Sequence, residues 1–358
     1  MKILHVITTI DRGGAENQLL VLAKKQAQMG HKVCVLPLKG DFELQQEFIG
    51  NGVDVDMSVL TSRFLIGKFL NYKSVIRSYK PNIVHAHLPQ AEIFSAIKIR
   101  NYRLILSKHN AENFAPKRSK ILSLLLSRFV ACKSDSIIAI SGAVKKFLID
   151  SKEISNKQEI NVVYYGFDDD IYQDKSSSKP LTSKNLLKIA TVGRLVRQKD
   201  HPTTLKAIQL CIMEGMNTEL HVYGEGILRE ELMDLTSRLK ITENVKWHGR
   251  TNNIRKVLLE SDVLVLSSVY EGFGLVLLEA IQANIPILAA NSPAVVEVLG
   301  RNYPGLFEIS NYEQLGGLLK KVREKDFSIL LVNQLFNRKN IYDPNTMVQK
   351  IQNIYLES

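Results

Sequence analysis

Cysteine is scarce in this 358-residue sequence: Cys34, Cys132 and Cys211 are scattered, odd in number and free of any C-x-x-C spacing. That argues against a disulfide framework or a zinc site and for reduced thiols, as in a cytosolic protein. Aromatic residues make up only 7%, with a single Trp, and they are not concentrated among the basic residues. With no zinc-finger spacing, RRM-type aromatic string or recognition helix, no nucleic-acid partner is expected. Long apolar runs are missing too. Nowhere do about 18 apolar residues follow one another, so no membrane-spanning helix is expected. The opening MKILHVITTIDRGG is broken by His5 and closed by Asp11-Arg12. It is too short for a secretory core and reads as a first strand.

What is present is an ordinary globular composition, 45% hydrophobic and 23% charged, long enough for about two domains. The net charge of +11 is unevenly placed. Residues 1–160 carry 24 basic and 13 acidic side chains, whereas residues 161–358 carry 23 of each. A basic first half implies an anionic partner there.

Short β-rich runs alternate with helical patterns along the whole chain. Lys2–Thr8, His31–Pro37, Ile83–Ala86, Leu104–Ser107, Ser136–Ile140 and Asn161–Tyr164 are expected strands, with helices such as Glu16–Met29, Leu65–Tyr79 and Ala91–Ile99 between them. Such alternation implies right-handed crossovers and a parallel sheet. A polar, Ser/Lys-rich stretch from Asp168 to Asn185 then interrupts the pattern. The alternation restarts with Leu187–Val192, Glu219–Tyr223, Val245–His248, Val263–Ser267 and Ile285–Ala289, and Pro344–Leu356 has helical periodicity. The expectation is an α/β protein of two Rossmann-like doubly wound domains facing a cleft: residues 1–167, a linker 168–186, residues 187–341, and a C-terminal helix 342–358 crossing back to the first domain. Ligands of such sheets bind outside the strand C-terminal ends.

The most informative stretch is SSVYEGFGLVLLEAIQANIPILAA, residues 267–290. Glu271 follows a buried strand, and Gly272-Phe273-Gly274-Leu275 leads into a helix carrying Glu279. Small residues at a helix start let backbone N–H groups approach an anion, and carboxylates can accept from hydroxyls. On spacing alone the two glutamates read first as a turn residue and a solvated helix position. A second stretch, KIATVGRLVRQKDHPTTLKAI (188–208), places Arg194 and Lys199 after a strand. They could converge on a diphosphate or be two surface cations. HVYGEG (221–226) and VKWHGR (245–250) are strand-to-turn segments bearing Gly224, Gly249 and Arg250. In the first half, Asp11-Arg12-Gly13-Gly14-Ala15-Glu16 opens a helix but is no G-x-G-x-x-G fingerprint. His109 follows a buried strand, and His85 and His87 end another, with no carboxylate or Cys to complete a metal set.

Taken in order, these segments resemble glycosyltransferase family 4, the retaining GT-B nucleotide-sugar transferases. EGFGLVLLEA followed by IPIL is similar to the family's E-x7-E signature, GRLVRQK to its G-R-L-x-x-x-K-G segment, and GGAE to its Gly-Gly loop. The resemblance implies that Glu271 contacts the donor sugar's hydroxyls and Glu279 the ribose. Arg194 and Lys199 would neutralise the leaving diphosphate, and His109 would sit by the donor sugar. Gly13, Gly14, Gly224, Gly249, Arg250, Gly272, Phe273, Gly274 and Leu275 would line the donor, and Glu16 would face the acceptor. No metal or other cofactor is implied, because cationic side chains replace the ion. Several positions depart from the pattern. Asp200 and Asn284 stand where Gly is frequent, Tyr165 replaces the Asn of an N-G-x-D segment, and Ser292-Pro293-Ala294 replaces a Gly-Gly pair. In the last, Pro293 lacks an amide and Ala294 is less free than Gly to take positive φ. Asp168-Asp169-Asp170 has the look of a D-x-D metal motif but is read as capping and solvation.

Between residues 98 and 133 there are nine basic side chains and one acid, Glu112. The segment KRSKILSLLLSRFVACK (117–133) can rest as a basic amphipathic helix on an anionic bilayer, or pack its apolar side on the sheet. The expected activity is transfer of a hexosyl or N-acetylhexosaminyl group from a nucleotide diphosphate sugar, with UDP the expected base, to a glycan or lipid-linked acceptor. The expected location is cytoplasmic, peripheral on the inner face of the plasma membrane. Two alternatives stand beside it: a non-catalytic nucleotide-sugar-binding member or partner subunit, and a GT-B nucleotide-sugar epimerase.

Overall fold

The computed structural model describes residues 1–115, 119–155, 158–167, 186–336 and 338–357. The expected linker and the Asp168-Asp169-Asp170 run lie outside the described residues. Two compact units divide the chain. One comprises Met1–Phe167 with Tyr342–Ser358, and the other Asp168–Ile341.

In the first unit β1 (Lys2–Ile7), β2 (Lys32–Pro37), β3 (Asp54–Val55), β4 (Ile83–His87), β5 (Arg103–Lys108), β6 (Ser136–Ala139) and β7 (Ile160–Val162) form one sheet in the order β3-β2-β1-β4-β5-β6-β7. Its neighbouring strands pair in parallel. Central strands such as β1 and β4 are buried on both faces, so that His5, His85 and His87 are enclosed with their apolar neighbours and neither strand alternates. Because β1 lies mid-sheet and the crossovers are right-handed, the chain builds outward one way and then reverses. Helix Gly14–Gln28 therefore covers one face, and helices Leu65–Tyr79, Pro89–Ala96 and Lys120–Lys133 the other.

The terminal helix Pro344–Leu356 belongs to this unit. Asp343 caps it by accepting from the Thr346 N–H at 2.7 Å, and Pro344 occupies its first turn. Its Met347, Val348, Ile351, Ile354 and Tyr355 join Ile3, Val21, Leu22, Ile83 and Ile105 in one core cluster. At roughly 2 kcal/mol per buried apolar side chain, that contact is a main anchor of the helix.

In the second unit β8 (Leu187–Val192), β9 (Thr218–Tyr223), β10 (Val245–Gly249), β11 (Val263–Leu266), β12 (Ile287–Ala290) and β13 (Leu306–Phe307) form a second parallel sheet, β10-β9-β8-β11-β12-β13. The edge strands β3 and β13 have two residues each, too few to show a period in sequence. Several expected boundaries move by one to three residues, two of them for a reason visible in the sequence. The helix expected over 91–99 runs Pro89–Ala96, since Pro suits a first helical turn. The strand expected over 285–289 becomes Ile287–Ala290. Asn284 ends the preceding helix in the left-handed conformation, and Pro286 has no N–H to give the ladder.

Left-handed backbone also explains two departures from the family pattern. Asp200 (φ 45°) and Asn284 (φ 54°) both have positive φ, where glycine is ordinarily needed and Asn or Asp is the best-tolerated substitute. Asn284 lends itself to a direct test. Asn284→Ala should lower stability by about 1 kcal/mol, and Asn284→Gly should leave it nearly unchanged, as read by urea unfolding.

Candidate active site

Three strand ends of the second unit are joined backbone to backbone. The Gly193 N–H donates to the Tyr223 carbonyl (2.9 Å), Leu195 to Glu225 (3.0 Å) and Gly224 to Gly249 (2.7 Å). A Cβ on Gly224 would collide with the Gly193 carbonyl. Glycine at 224 is thus demanded by close approach of the chain itself. Gly249 has φ 72°, with the Glu225 carboxylate against it, and Arg250 is exposed.

Beside these ends the turn Arg197–Lys199 is tied to the end of β11. Val269 N–H donates to the Gln198 carbonyl (2.9 Å), Ser267 Oγ to the Lys199 carbonyl (2.9 Å), and Gln198 Nε2 to the Tyr270 carbonyl (2.9 Å). This lattice carries the Lys199 ammonium across Gly193 to Glu271 Oε1 at 2.6 Å. The side chains of that pair are 15% and 7% exposed, so it is largely withdrawn from water. The Arg194 side chain stands exposed nearby, 3.5 Å from Gln198 Oε1.

Gly272 and the buried Phe273 lead to Gly274, which has φ 85° and starts helix Leu275–Ala283 without a side-chain cap. Of its first N–H groups, that of Leu277 donates to the Gly274 carbonyl (2.8 Å), and no side chain caps those of Leu275 and Val276. Leu275 and Glu279 on that helix are half-buried. Burial pushes the Glu279 carboxyl up to about 7. It has no hydrogen-bond partner among the described residues, so it is no solvated surface glutamate. Sequence reasoning missed two further groups: the Ser268 and Ser292 hydroxyls, just beyond β11 and β12, are buried without partners among the described residues. The Ser292-Pro293-Ala294 departure fits the backbone without strain. Ser292 is extended (φ −93°), Pro293 opens helix Pro293–Leu299, and no residue from 291 to 299 has positive φ. Proline there gives up an N–H that a first helical turn leaves unpaired.

In the first unit Gly13 precedes helix Gly14–Gln28, and the Glu16 carboxylate folds back over it, accepting from Thr9 Oγ1 at 3.0 Å. Burial, with Asp11 nearby, raises the Glu16 carboxyl above its usual range. His109 is half-buried just past β5, its Nδ1 on the Tyr165 hydroxyl and its Nε2 on His87 Nδ1 at 3.1 Å. Both ring nitrogens thus have protein partners. Burial, aided by Lys108, pushes His109 down to about 3. The Lys108 ammonium is itself buried on Glu92 (2.5 Å), 4.6 Å from the centre of the Phe114 ring. Gly13, Gly14, Glu16 and His109 are in this unit; Arg194, Lys199, Gly224, Gly249, Arg250, Glu271, Gly272, Phe273, Gly274, Leu275 and Glu279 are in the other.

His85 and His87 do gain a third histidine. His5 lies opposite His85 in the β1–β4 register, and one ligand atom from each of the three lies within 4.8 Å of the others. The pairing of strands so far apart in sequence has no local signal. All six of these ring nitrogens, however, are already hydrogen-bonded.

Residues 12–171 match the model of Glycosyltransferase Family 4, and residues 173–328 that of Glycosyl transferases group 1. The chain therefore belongs to the family 4 glycosyltransferases and is a glycosyltransferase with the GT-B fold. Among curated proteins it is similar to the capsular polysaccharide biosynthesis glycosyltransferase CapH of Staphylococcus aureus, 24% identical with 99% of each chain covered. It is also similar to a Campylobacter jejuni N-acetylgalactosamine-N,N'-diacetylbacillosaminyl-diphospho-undecaprenol 4-alpha-N-acetylgalactosaminyltransferase, 28% identical over 54% of this chain and 52% of the other. Among solved structures, HepE of Anabaena, in complex with UDP and glucose, superposes with a TM-score of 0.82 at 21% identity over 99% of both chains.

Two stability experiments follow. Lys199→Met leaves the Glu271 carboxylate withdrawn from water and unpaired, and should cost about 3 kcal/mol; Lys199→Met with Glu271→Leu should recover part of it. For Glu279 the folded-state proton affinity exceeds that of the unfolded chain. Its ionisation therefore subtracts stability as pH rises from about 4.5 to about 7, the loss being complete above that. Glu279→Gln should remove this decline, making the variant gain on wild type between pH 4.5 and 8 in denaturant titrations.

Proposed function

We propose that this glycosyltransferase moves a hexosyl or N-acetylhexosaminyl group from a nucleotide diphosphate sugar, UDP-linked, to a glycan or lipid-linked saccharide acceptor in surface-polysaccharide assembly. The observation that carries the reading is the Lys199–Glu271 pair, locked between the ends of β8 and β11 beside exposed Arg194 and the uncapped helix start at Gly274. It offers, side by side, two cations and free N–H groups for a diphosphate and a carboxylate for sugar hydroxyls. Glu279, half-buried and unpaired among the described residues, suits a ribose hydroxyl. Binding of UDP and UDP-glucose by HepE, the capsular assignment of CapH and the lipid-diphosphate acceptor named for the Campylobacter enzyme all support the same reading.

In this reading the anomeric carbon–phosphate oxygen bond breaks while an acceptor oxygen bonds the same face of the sugar, which retains configuration. The acceptor's proton passes to the departing diphosphate. Arg194, Lys199 and the N–H groups at Gly274 stabilise the charge that develops there, so no metal is called on. Glu16 and His109 serve the acceptor and the transferred sugar.

A membrane surface as the place of work is supported by how helix Lys120–Lys133 is turned. Its buried positions are Ser123, Ser127, Val130 and Ala131, while Ile121 (74% exposed), Leu125 (59%) and Phe129 (44%) face out. The inward side of the helix keeps Val130 and Ala131, with Leu124 and Leu126 half-buried beside them. On the same face of the sheet Phe64, Leu65 and Ile66 are also exposed. The same two segments carry Arg63, Lys120, Arg128 and Lys133 in the basic half of the chain, a combination suited to anionic headgroups over acyl chains. Among the described residues no helix is long and apolar enough to cross a membrane.

A panel of UDP- and GDP-sugars with undecaprenyl-diphosphate-linked acceptors tests the reaction. Wild type should release nucleotide and give a product of the donor's anomeric configuration, undiminished by EDTA. Arg194→Ala and Glu271→Ala should each lose about 100-fold or more in kcat/KM; full activity in either would overturn the site. For the membrane, Ile121→Gln/Leu125→Gln/Phe129→Gln should weaken co-sedimentation with phosphatidylglycerol vesicles about tenfold or more. Equal binding by the triple variant would remove that surface from the reading.

A further inference from the structure

Five side chains of the first unit form an unbroken hydrogen-bonded row. Gln26 Oε1 meets His5 Nε2 (2.7 Å), His5 Nδ1 meets His87 Nε2 (3.0 Å), His87 Nδ1 meets His109 Nε2 (3.1 Å), and His109 Nδ1 meets the Tyr165 hydroxyl. His5 and His87 are fully buried. Burial holds the three rings neutral, pushing His5 to about 4, His109 to about 3 and His87 well below its usual value. A neutral imidazole has one N–H and one lone pair, so a row of such rings can run only one way. An amide oxygen only accepts. His5 must therefore carry its proton on Nε2, and so in turn must His87 and His109, leaving His109 Nδ1 to accept from Tyr165.

The direction originates at Gln26. Its Nε2 donates to the Tyr355 hydroxyl (3.2 Å), which donates to His85 Nδ1 (2.7 Å), while His85 Nε2 donates to Ser107 Oγ (2.7 Å). Turning that one amide over would present NH2 to His5, reverse every bond in the row and put the proton of His109 on Nδ1. We propose that Gln26, oriented by Tyr355 of the terminal helix, is a positioning residue that sets the tautomer of His109 through His5 and His87, so that His109 Nδ1 is an acceptor. Whatever replaces Tyr165 at that nitrogen must then donate a hydrogen bond. A hydroxyl qualifies; an ionised phosphate oxygen does not. Only this last consequence rests on the proposed function.

The test is ring-nitrogen NMR of the full chain labelled with 15N-histidine, at pH 7. In wild type His5, His87 and His109 should each show the single Nε2–H tautomer. Gln26→Leu should turn the His109 signals into those of a tautomer mixture. Tyr355→Phe, which keeps the glutamine but releases its amide, should do so in part, and it decides the matter if Gln26→Leu does not fold. A wild-type mixture, an Nδ1–H form of His109, or His109 signals unchanged in the folded variants would overturn the proposal. Turnover of the UDP-sugar panel in the same samples keeps the two questions apart. An inactive wild type with the expected tautomers counts against the reaction alone, and an active Gln26→Leu with a mixed His109 against its importance for turnover alone.

Discussion

Neighbouring strands in both sheets are parallel, so each pass of the chain leaves its strand at the same edge as the others and must travel back before pairing again. The polar residues that interrupt the apolar runs are therefore delivered to one edge of each sheet, however far apart they are in sequence. Arg194 and Lys199 leave β8, Gly224 leaves β9, Gly249 ends β10 and Glu271 follows β11. In the first unit Gly13 and Glu16 follow β1, His87 ends β4 and His109 follows β5. The bonds of Gln198 and Lys199 to Ser267, Val269 and Tyr270 then tie the turn after β8 to the end of β11 and hold Lys199 against Glu271.

Buried charge and buried imidazole are costly, and several of them here are satisfied by protein partners. Lys108 is neutralised by Glu92. Glu153 accepts from the Phe114 N–H (2.7 Å) and from Ser127 Oγ (3.1 Å). With Ser127 on Glu153, the side of helix Lys120–Lys133 that bears Ser123, Ser127, Val130 and Ala131 points inward, and Ile121, Leu125 and Phe129 stay at the surface. Polar satisfaction of one carboxylate thus decides which side of a helix the outside world meets. The row of histidines is the same principle without charge, three rings kept neutral by burial and each finding a donor on one side and an acceptor on the other.

The departures from the family pattern sort by backbone conformation. Asp200 and Asn284 keep the left-handed geometry that glycine ordinarily supplies, and each finds a partner: Asp200 accepts from Thr203 Oγ1 (2.8 Å) and Ser310 Oγ (2.7 Å), and Asn284 from Lys339 Nζ (2.8 Å). Ser292-Pro293-Ala294 instead enters a helix directly and needs no positive φ. Tyr165 places a hydroxyl on His109, occupying a ring nitrogen that would otherwise face a ligand or water.

Much of this was legible in the sequence. Alternating apolar and amphipathic runs gave β1, β8 and helices Leu65–Tyr79 and Pro344–Leu356 nearly to the residue, because hydrophobic period is a local property. The order of the glutamate, arginine and lysine motifs identified the family for the same reason. The two-residue strands β3 and β13, the closure of Lys199 on Glu271, the orientation of helix Lys120–Lys133 and the joining of His5 to His87 and His109 were decided only by tertiary structure. Each depends on register and packing between segments dozens of residues apart. A sequence specifies such contacts through the whole fold and through no neighbouring residue.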